Sequence, residues 1–190
     1  MVGTDSSEVE RLLCGGALRC PGCGGELRPW GYARGRGVRG EVSVVWVRPR
    51  RSTCSGCLGT HVLVPMSLLV RRADSVAVIG RALLVSAGGL GHRKIAGLLS
   101  RPVSTVRGWL RRFGARAESL RVLFTALLHA MDACVASVAV TGSVFADALE
   151  ALGLAAAAAA RLFGPRPVWQ FASAASGGQL LGPVLVTNTS

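Results

Sequence analysis

Acidic residues are scarce in this chain: ten Asp and Glu stand against twenty-two Lys and Arg in 190 residues. Beyond residue 113 the only carboxylate side chains are Glu118, Asp132, Asp147 and Glu150, all in segments that read as helix. Two-metal phosphoryl chemistry needs convergent carboxylates, and this set does not supply them. A nucleophile elbow, a phosphate-binding glycine loop and a Ser/His/Asp grouping are also missing. The expectation is that the chain is not an enzyme. Lysine is almost absent, with Lys94 alone, and aromatic residues make up 5%. Long apolar runs are lacking too. The apolar stretch from Leu120 to Ala160 is interrupted by His129, Asp132, Asp147 and Glu150, and no charge-free run in it reaches the roughly eighteen residues of a spanning helix. Burying those carboxylates in lipid would be costly, so no membrane partner is expected. The first ten residues are polar and acidic, without the apolar core of a secretory leader. The expected location is cytoplasmic, at the nucleoid, with reduced cysteines.

What is present is unevenly placed. The net charge is +12, divided as +4 over residues 1–65, +9 over 66–121 and −1 over 122–190. A high-GC genome would explain the preference for Arg over Lys, but not the neutral last third. A strong positive field confined to one segment is the electrostatic footprint of a polyanion binder.

Two CxxC pairs, Cys20-Pro-Gly-Cys23 and Cys54-Ser-Gly-Cys57, carry the sharpest chemical signal. Each can place two thiolates on one side of a tight turn, and two such turns make a tetrahedral sulfur site suited to one structural Zn²⁺. Paired disulfides or a redox dithiol are the rival readings. A disulfide within one CxxC would leave the two halves unconnected, and no βαβ pattern surrounds either pair. All-cysteine ligation leaves no open position for a catalytic water. Cys14 is expected to be a reduced, partly buried thiol and Cys134 a core residue. His61 is close enough in sequence to ligate, but the cysteines already fill the site. His129 reads as a core histidine, and His92 as a residue that touches phosphate.

The segments follow from composition and period. Residues 1–13 read as a tail or short helix. Residues 14–65 read as a zinc ribbon with strands over Glu26–Tyr32, Glu41–Val47 and His61–Val64, and with Arg34–Gly40 as a mobile loop or hairpin tip. Trp30, Tyr32 and Trp46 are assigned to the ribbon core, since small domains need aromatic area. Arg34, Arg36, Arg39, Arg48, Arg50 and Arg51 place a second basic cluster there, either as a solvated loop or as a nucleic-acid contact. Residues 66–121 read as helices: one from a cap at Asp74 or Ser75 to about Ser86, one over His92–Leu99, and one from Val103 to at least Phe113. Residues 122–163 read as apolar helix broken near Thr141-Gly142-Ser143, and 164–190 as an irregular tail. The fold class is α+β: a small N-terminal β ribbon, then a mainly α-helical region.

The stretch Arg93-Lys-Ile-Ala-Gly-Leu-Leu-Ser-Arg-Pro-Val-Ser-Thr-Val-Arg-Gly-Trp-Leu110 resembles the helix-turn-helix unit of bacterial DNA-binding proteins. Ile95, Leu99, Val106 and Leu110 are spaced to face inward, and Ala96 is small where the helices cross. The unit departs from the pattern at Ser100, where glycine is common, and at Arg101, where an apolar residue is common. The resemblance implies that the start of the last helix enters a major groove. Ser104 would then meet a base edge or a phosphate, Arg107 could take a guanine bidentately, Gly108 would leave room for close approach, and Thr105 also belongs to the expected DNA-binding set. Arg93, Lys94, Arg111, Arg112 and Arg116 would position the protein on phosphates. The order of ribbon and helix-turn-helix is similar to the front end of bacterial transposases. As a whole the chain resembles an actinobacterial family of helix-turn-helix proteins of unknown function with cysteine-paired N-termini. These likenesses imply double-stranded DNA as partner, as a transcriptional regulator or mobile-element accessory protein. The alternatives are a transposase targeting subunit or remnant whose nuclease is a separate chain, and a zinc-stapled module for RNA or protein. The apolar C-terminal helices would suit a homodimer.

Overall fold

A computed structural model describes residues 1–132 and 142–183; Cys134 lies outside them. The chain is α+β, with a small antiparallel sheet region followed by helices. Helix α1 spans Ser6–Cys14, and its N-cap Asp5 accepts a hydrogen bond from the Ser7 amide. Strands β1 (Leu27–Tyr32), β4 (Arg50–Cys54) and β5 (Thr60–Leu63) form one sheet in the order β1-β4-β5. Strands β2 (Arg36–Arg39) and β3 (Val44–Val47) form a separate two-stranded hairpin inserted between β1 and β4. Helices α2 (Val76–Ala87), α3 (His92–Leu99), α4 (Val103–Met131), α5 (Val144–Phe163) and α6 (Val168–Ala175) follow.

The N-terminal core is small: Val9 and Leu13 of α1 pack on Leu27, Leu63 and the buried thiols Cys20 and Cys54. Arg50 fastens α1 to β4 by donating from Nε and Nη2 to the Glu10 carboxylate at 2.8 and 3.0 Å. The helical core is larger. Ile79 and Leu83 of α2, Ile95 and Ala96 of α3, and Val106, Trp109, Phe113 and Phe124 of α4 pack in one cluster with α5. The alanine run of α5 buries Ala155, Ala156, Ala158 and Ala159. Alanine suits this place twice over, as a strong helix former and as a small residue that lets another helix approach. Phe113 meets Phe145 edge-on, with centroids 4.8 Å apart.

Several expectations are corrected. Arg34–Gly40 is not simply a loop, because Arg36–Arg39 pairs with Val44–Val47, Arg36 opposite Val47 and Arg39 opposite Val44. The strand over Arg50–Cys54 was not expected. In the expected strand over Glu41–Val47, only Val44–Val47 is extended and paired, and Val42, Val44, Val45 and Trp46 are all exposed, Val42 at 99% and Trp46 at 71%. An isolated two-stranded hairpin has no second layer to cover either face, and in it only Val38 is buried. Trp30 and Tyr32 are likewise about half exposed, at 52% and 51%, so the ribbon core is not aromatic. His129 is exposed rather than in the core.

Residues 164–190 are not an irregular tail throughout. Within 168–175 the chain forms α6, and Ala172, Ser173, Leu180 and Leu181 are buried. Trp169 lies flat on α2 at Gly80, where an added Cβ would fall inside the indole. Ser173 Oγ donates to the Leu68 carbonyl at 2.6 Å. A helix of only eight residues carries little periodic signal and is marginal by itself; its partners hold it in place.

Candidate metal centre and basic helical face

Each CxxC pair sits in a tight turn at one end of the three-stranded sheet. The Cys20 amide donates to the Gly25 carbonyl at 2.8 Å, and the Cys54 amide to the Gly59 carbonyl at 2.9 Å. Both turns then need a left-handed residue, Gly24 at φ +72° in the first and Leu58 at φ +59° in the second. Pairing of Leu27 with Cys54 brings the turns together. The approach is close: a Cβ at Gly25 would stand 2.9 Å from Cys54 Sγ.

The Sγ atoms of Cys20, Cys23, Cys54 and Cys57 all lie within 4.8 Å of one another. Cys20 and Cys57 are 3.8 Å apart, and Cys23 and Cys54 3.4 Å. Thiolates bound tetrahedrally at about 2.3 Å from an ion stand about 3.8 Å apart. The cluster can therefore hold a metal ion, and it is consistent with one structural zinc. The surrounding amides favour the ionised form at Cys54, whose thiol is pulled down to about 6 by the Cys57 amide, against burial, with help from Gly56. Cys23 is pushed up to about 11, because its thiol neighbours Cys54 and Cys57 outweigh the favourable Gly25 amide. His61 Nε2 lies 3.4 Å from Cys20 Sγ. That places the imidazole to hydrogen-bond a ligating sulfur from outside the set, the kind of support that orients metal ligands. Cys14 is exposed at the end of α1, 3.6 Å from Glu10 Oε1, and takes no part in the cluster.

The second candidate is the basic face of α3 and α4. The buried sides of these helices carry Ile95, Ala96, Val106 and Trp109. On the other side of α4, Ser104, Arg107, Arg111 and Arg112 are exposed, and Thr105 and Gly108 are half-buried. Arg93 and Lys94 are exposed on the first turn of α3. Among the described residues, Arg93, Lys94, Arg107 and Arg111 form no ion pair or hydrogen bond through their side chains. Arg112 Nη1 donates to the Gly108 carbonyl at 3.2 Å, and Arg116 Nη1 to the Pro183 carbonyl at 2.7 Å. Arg116 is thus tied to the segment after α6 rather than standing free.

Ser100 and Arg101 form the turn between α3 and α4. Ser100 adopts φ +51°, ψ +48°, a conformation that favours glycine. Arg101 does not enter an apolar core. Its Nε donates to Asp74 Oδ1 at 2.6 Å, and its Nη2 to the Gly40 carbonyl at 2.8 Å. Sequence reasoning missed this role: it read Asp74 as a candidate cap, which Ser75 supplies instead, and Arg39 as a solvated or nucleic-acid-binding residue, where the two are ion-paired. An arginine at an expected apolar position was the available signal.

Among the described residues no helix is long and apolar enough to cross a membrane. Comparison with protein-family models, with curated proteins and with solved structures found no match for this chain.

Proposed function

We propose that the chain binds double-stranded DNA through α3 and α4 acting as a helix-turn-helix, with the N-terminal sheet stapled by one structural Zn²⁺. The observation that carries the reading is the two-sidedness of the start of α4. Val106 and Trp109 are buried, while Ser104, Arg107 and Arg111 are exposed, the two arginines without partners among the described residues. Docked in a major groove, Ser104, Thr105, Arg107 and Gly108 would meet base edges, and Arg93, Lys94, Arg111 and Arg112 the phosphates. Cys20, Cys23, Cys54 and Cys57 would hold the zinc. A closed thiolate set supplies folding free energy rather than chemistry.

In this reading the protein serves as a regulator of transcription or an accessory protein of a mobile element. The related alternative is a targeting subunit whose nuclease is a separate transposase or recombinase. Homodimerisation would use the outer edge of α5, where Leu162 and Phe163 are exposed, because its alanine face is already packed inside the chain.

A second reading has its own support. Arg51 stacks 4.6 Å from the exposed Trp30 ring, and Arg50 and Arg48 lie 4.5 and 4.9 Å from Tyr32. Exposed aromatics interleaved with arginine suit unpaired bases, which favours the RNA-binding alternative for the sheet.

Selection of bound sequences from a random duplex pool, with zinc present, tests the main reading. Enrichment of a common motif supports it. Recovery of no motif, together with preferential competition by single-stranded RNA at fixed salt, would overturn it in favour of the second.

A further inference from the structure

A cleft of about 810 Å³ lies between the chain leading into α2, the middle of α4 and the turn after α6. Arg71, Arg72, Arg112 and Arg116 line it together with Gln179, and among the described residues no carboxylate does. A smaller cavity of about 230 Å³ shares Arg71, Arg72 and Arg112 and adds Ser104 and Thr105. Its carboxylate, Asp74, is already held by Arg39 and Arg101 through both oxygens.

Like charges gathered without a counter-charge repel. The Arg72 guanidinium is held below its usual range, first by burial and then by Arg112. The Nε atoms of Arg72 and Arg116 are buried and have no hydrogen-bond partner among the described residues. Such orphan donors are costly. The bonds these side chains do make are to neutral carbonyls. Arg72 Nη2 donates to Leu181 at 2.9 Å and Arg116 Nη1 to Pro183 at 2.7 Å. They fix the guanidiniums without neutralising them. Arg71 adds a left-handed backbone at φ +60°, a cost that folds tend to carry where a group must be held in place.

We infer that Arg71, Arg72, Arg112 and Arg116 form an oxyanion site that takes a phosphate group. Guanidinium forks match phosphate oxygens bidentately, which a lysine cluster would not do. The phosphate can belong to the backbone of a duplex lying along α4 or to a small phosphorylated molecule. The first source rests on the reading of α4 given above; the site itself does not.

The test uses the full-length, metal-loaded protein, the double variant Arg71→Gln/Arg112→Gln, and the single variant Arg116→Gln. Arg81→Gln, on α2 away from the cleft, is the control. Sodium phosphate is compared with sodium chloride at matched ionic strength. Phosphate at ten times its Kd should raise Tm by roughly 3–6 °C over chloride in a chain of this size. That rise should persist in the control, shrink in the single variant and vanish in the double. In parallel, binding of wild type and Arg116→Gln, whose residue lies outside the proposed helix-turn-helix contacts, to a random-sequence duplex is followed against salt, where loss of one phosphate contact lowers the log–log slope by about 0.9. A lost phosphate response with a lowered slope assigns the site to DNA. A lost response with an unchanged slope, or with no duplex binding by any form, keeps the site, assigns it to a small phosphorylated molecule and places any failure in the DNA reading alone. Phosphate acting no differently from chloride, or equally on the double variant, overturns the inference.

Discussion

Asp74 and Arg101 meet at the junction of the sheet region and the helices, with Arg101 Nε donating to Asp74 Oδ1 at 2.6 Å. The other oxygen of Asp74 accepts from Arg39 Nη2 on the hairpin at 2.7 Å. Arg101 also reaches the Gly40 carbonyl, and the Arg39 amide donates to the Ala73 carbonyl at 2.8 Å. One carboxylate, 3% exposed, therefore ties the β2–β3 hairpin to the turn that sets α3 against α4.

Asp74→Ala should destabilise the protein by about 3 kcal/mol, because removing one member of a buried ion pair leaves the other without compensation. Hydrogen exchange should rise together in residues 36–47 and 99–103. An unchanged denaturation midpoint would show that the junction is not held by this carboxylate.

Cys23→Ser or Cys54→Ser should abolish binding of one metal ion per chain and unfold the region from Cys20 to Leu63. The helical part should keep its circular dichroism, since its core is a separate cluster. Metal analysis of purified variants checks this, and full metal content in either would reject the ligand assignment. Gly25→Ala is the subtler probe. Its methyl would crowd Cys54 Sγ, so affinity for the ion should fall without loss of a ligand.

Arg107→Ala should weaken binding to a selected duplex by roughly 1–3 kcal/mol and relax preference at one base pair. Arg93→Ala should weaken all sequences alike and reduce the salt slope by about 0.9. Titrations across several salt concentrations separate the two. Identical behaviour of both variants would contradict the division into base-reading and phosphate-holding residues.

Arg50 holds the Glu10 carboxyl below its usual range, chiefly by hydrogen bonding. A carboxyl whose folded value is depressed stabilises fully above its unfolded value of about 4.3 and loses that contribution as pH falls through the folded value. Docking of α1 should therefore weaken at acid pH. The difference in stability between wild type and Glu10→Gln isolates this effect from the acid release of metal common to both. That difference should be constant from pH 6 to 8 and shrink below about 4. A difference independent of pH across the whole range would sink the prediction.

Trp169→Ala should cost about 2–4 kcal/mol, toward the low end for a large aromatic because the indole is only partly covered. Denaturant unfolding measures it. A neutral result would mean that α6 does not contribute to the helical core.

The cysteine turns were readable because their chemistry is local. A CxxC needs a tight turn, and glycine neighbours permit one. Helices α2 and α4 were readable from Ser75, which caps α2 by accepting from the Val78 amide at 3.4 Å, and from Pro102, which precedes α4. Helix α6 was not, since Trp169 and Ser173 are defined by Gly80 and Leu68, roughly ninety and a hundred residues earlier in the chain. The burial of Trp30, Tyr32 and Trp46 was misjudged for a related reason. They were assigned to the core because a small domain needs apolar area, but which side chains supply that area depends on what packs over them, and here α1 covers Leu27 and Leu63 instead.

By itself the sequence determined the four cysteines of the candidate metal centre, the two inward-facing sides of α3 and α4, and the segment that carries most of the positive charge. Those properties depend on residues close together in the chain and on the periods of helix and turn. Only the tertiary structure decided which arginines are free and which are bound. Arg101 is neutralised by Asp74 and Arg116 is anchored to the neutral Pro183 carbonyl, whereas Arg107 and Arg111 have no such partner among the described residues. A guanidinium is satisfied by whatever acceptor the fold brings within hydrogen-bonding reach, and that distance is set by packing between segments far apart in the chain.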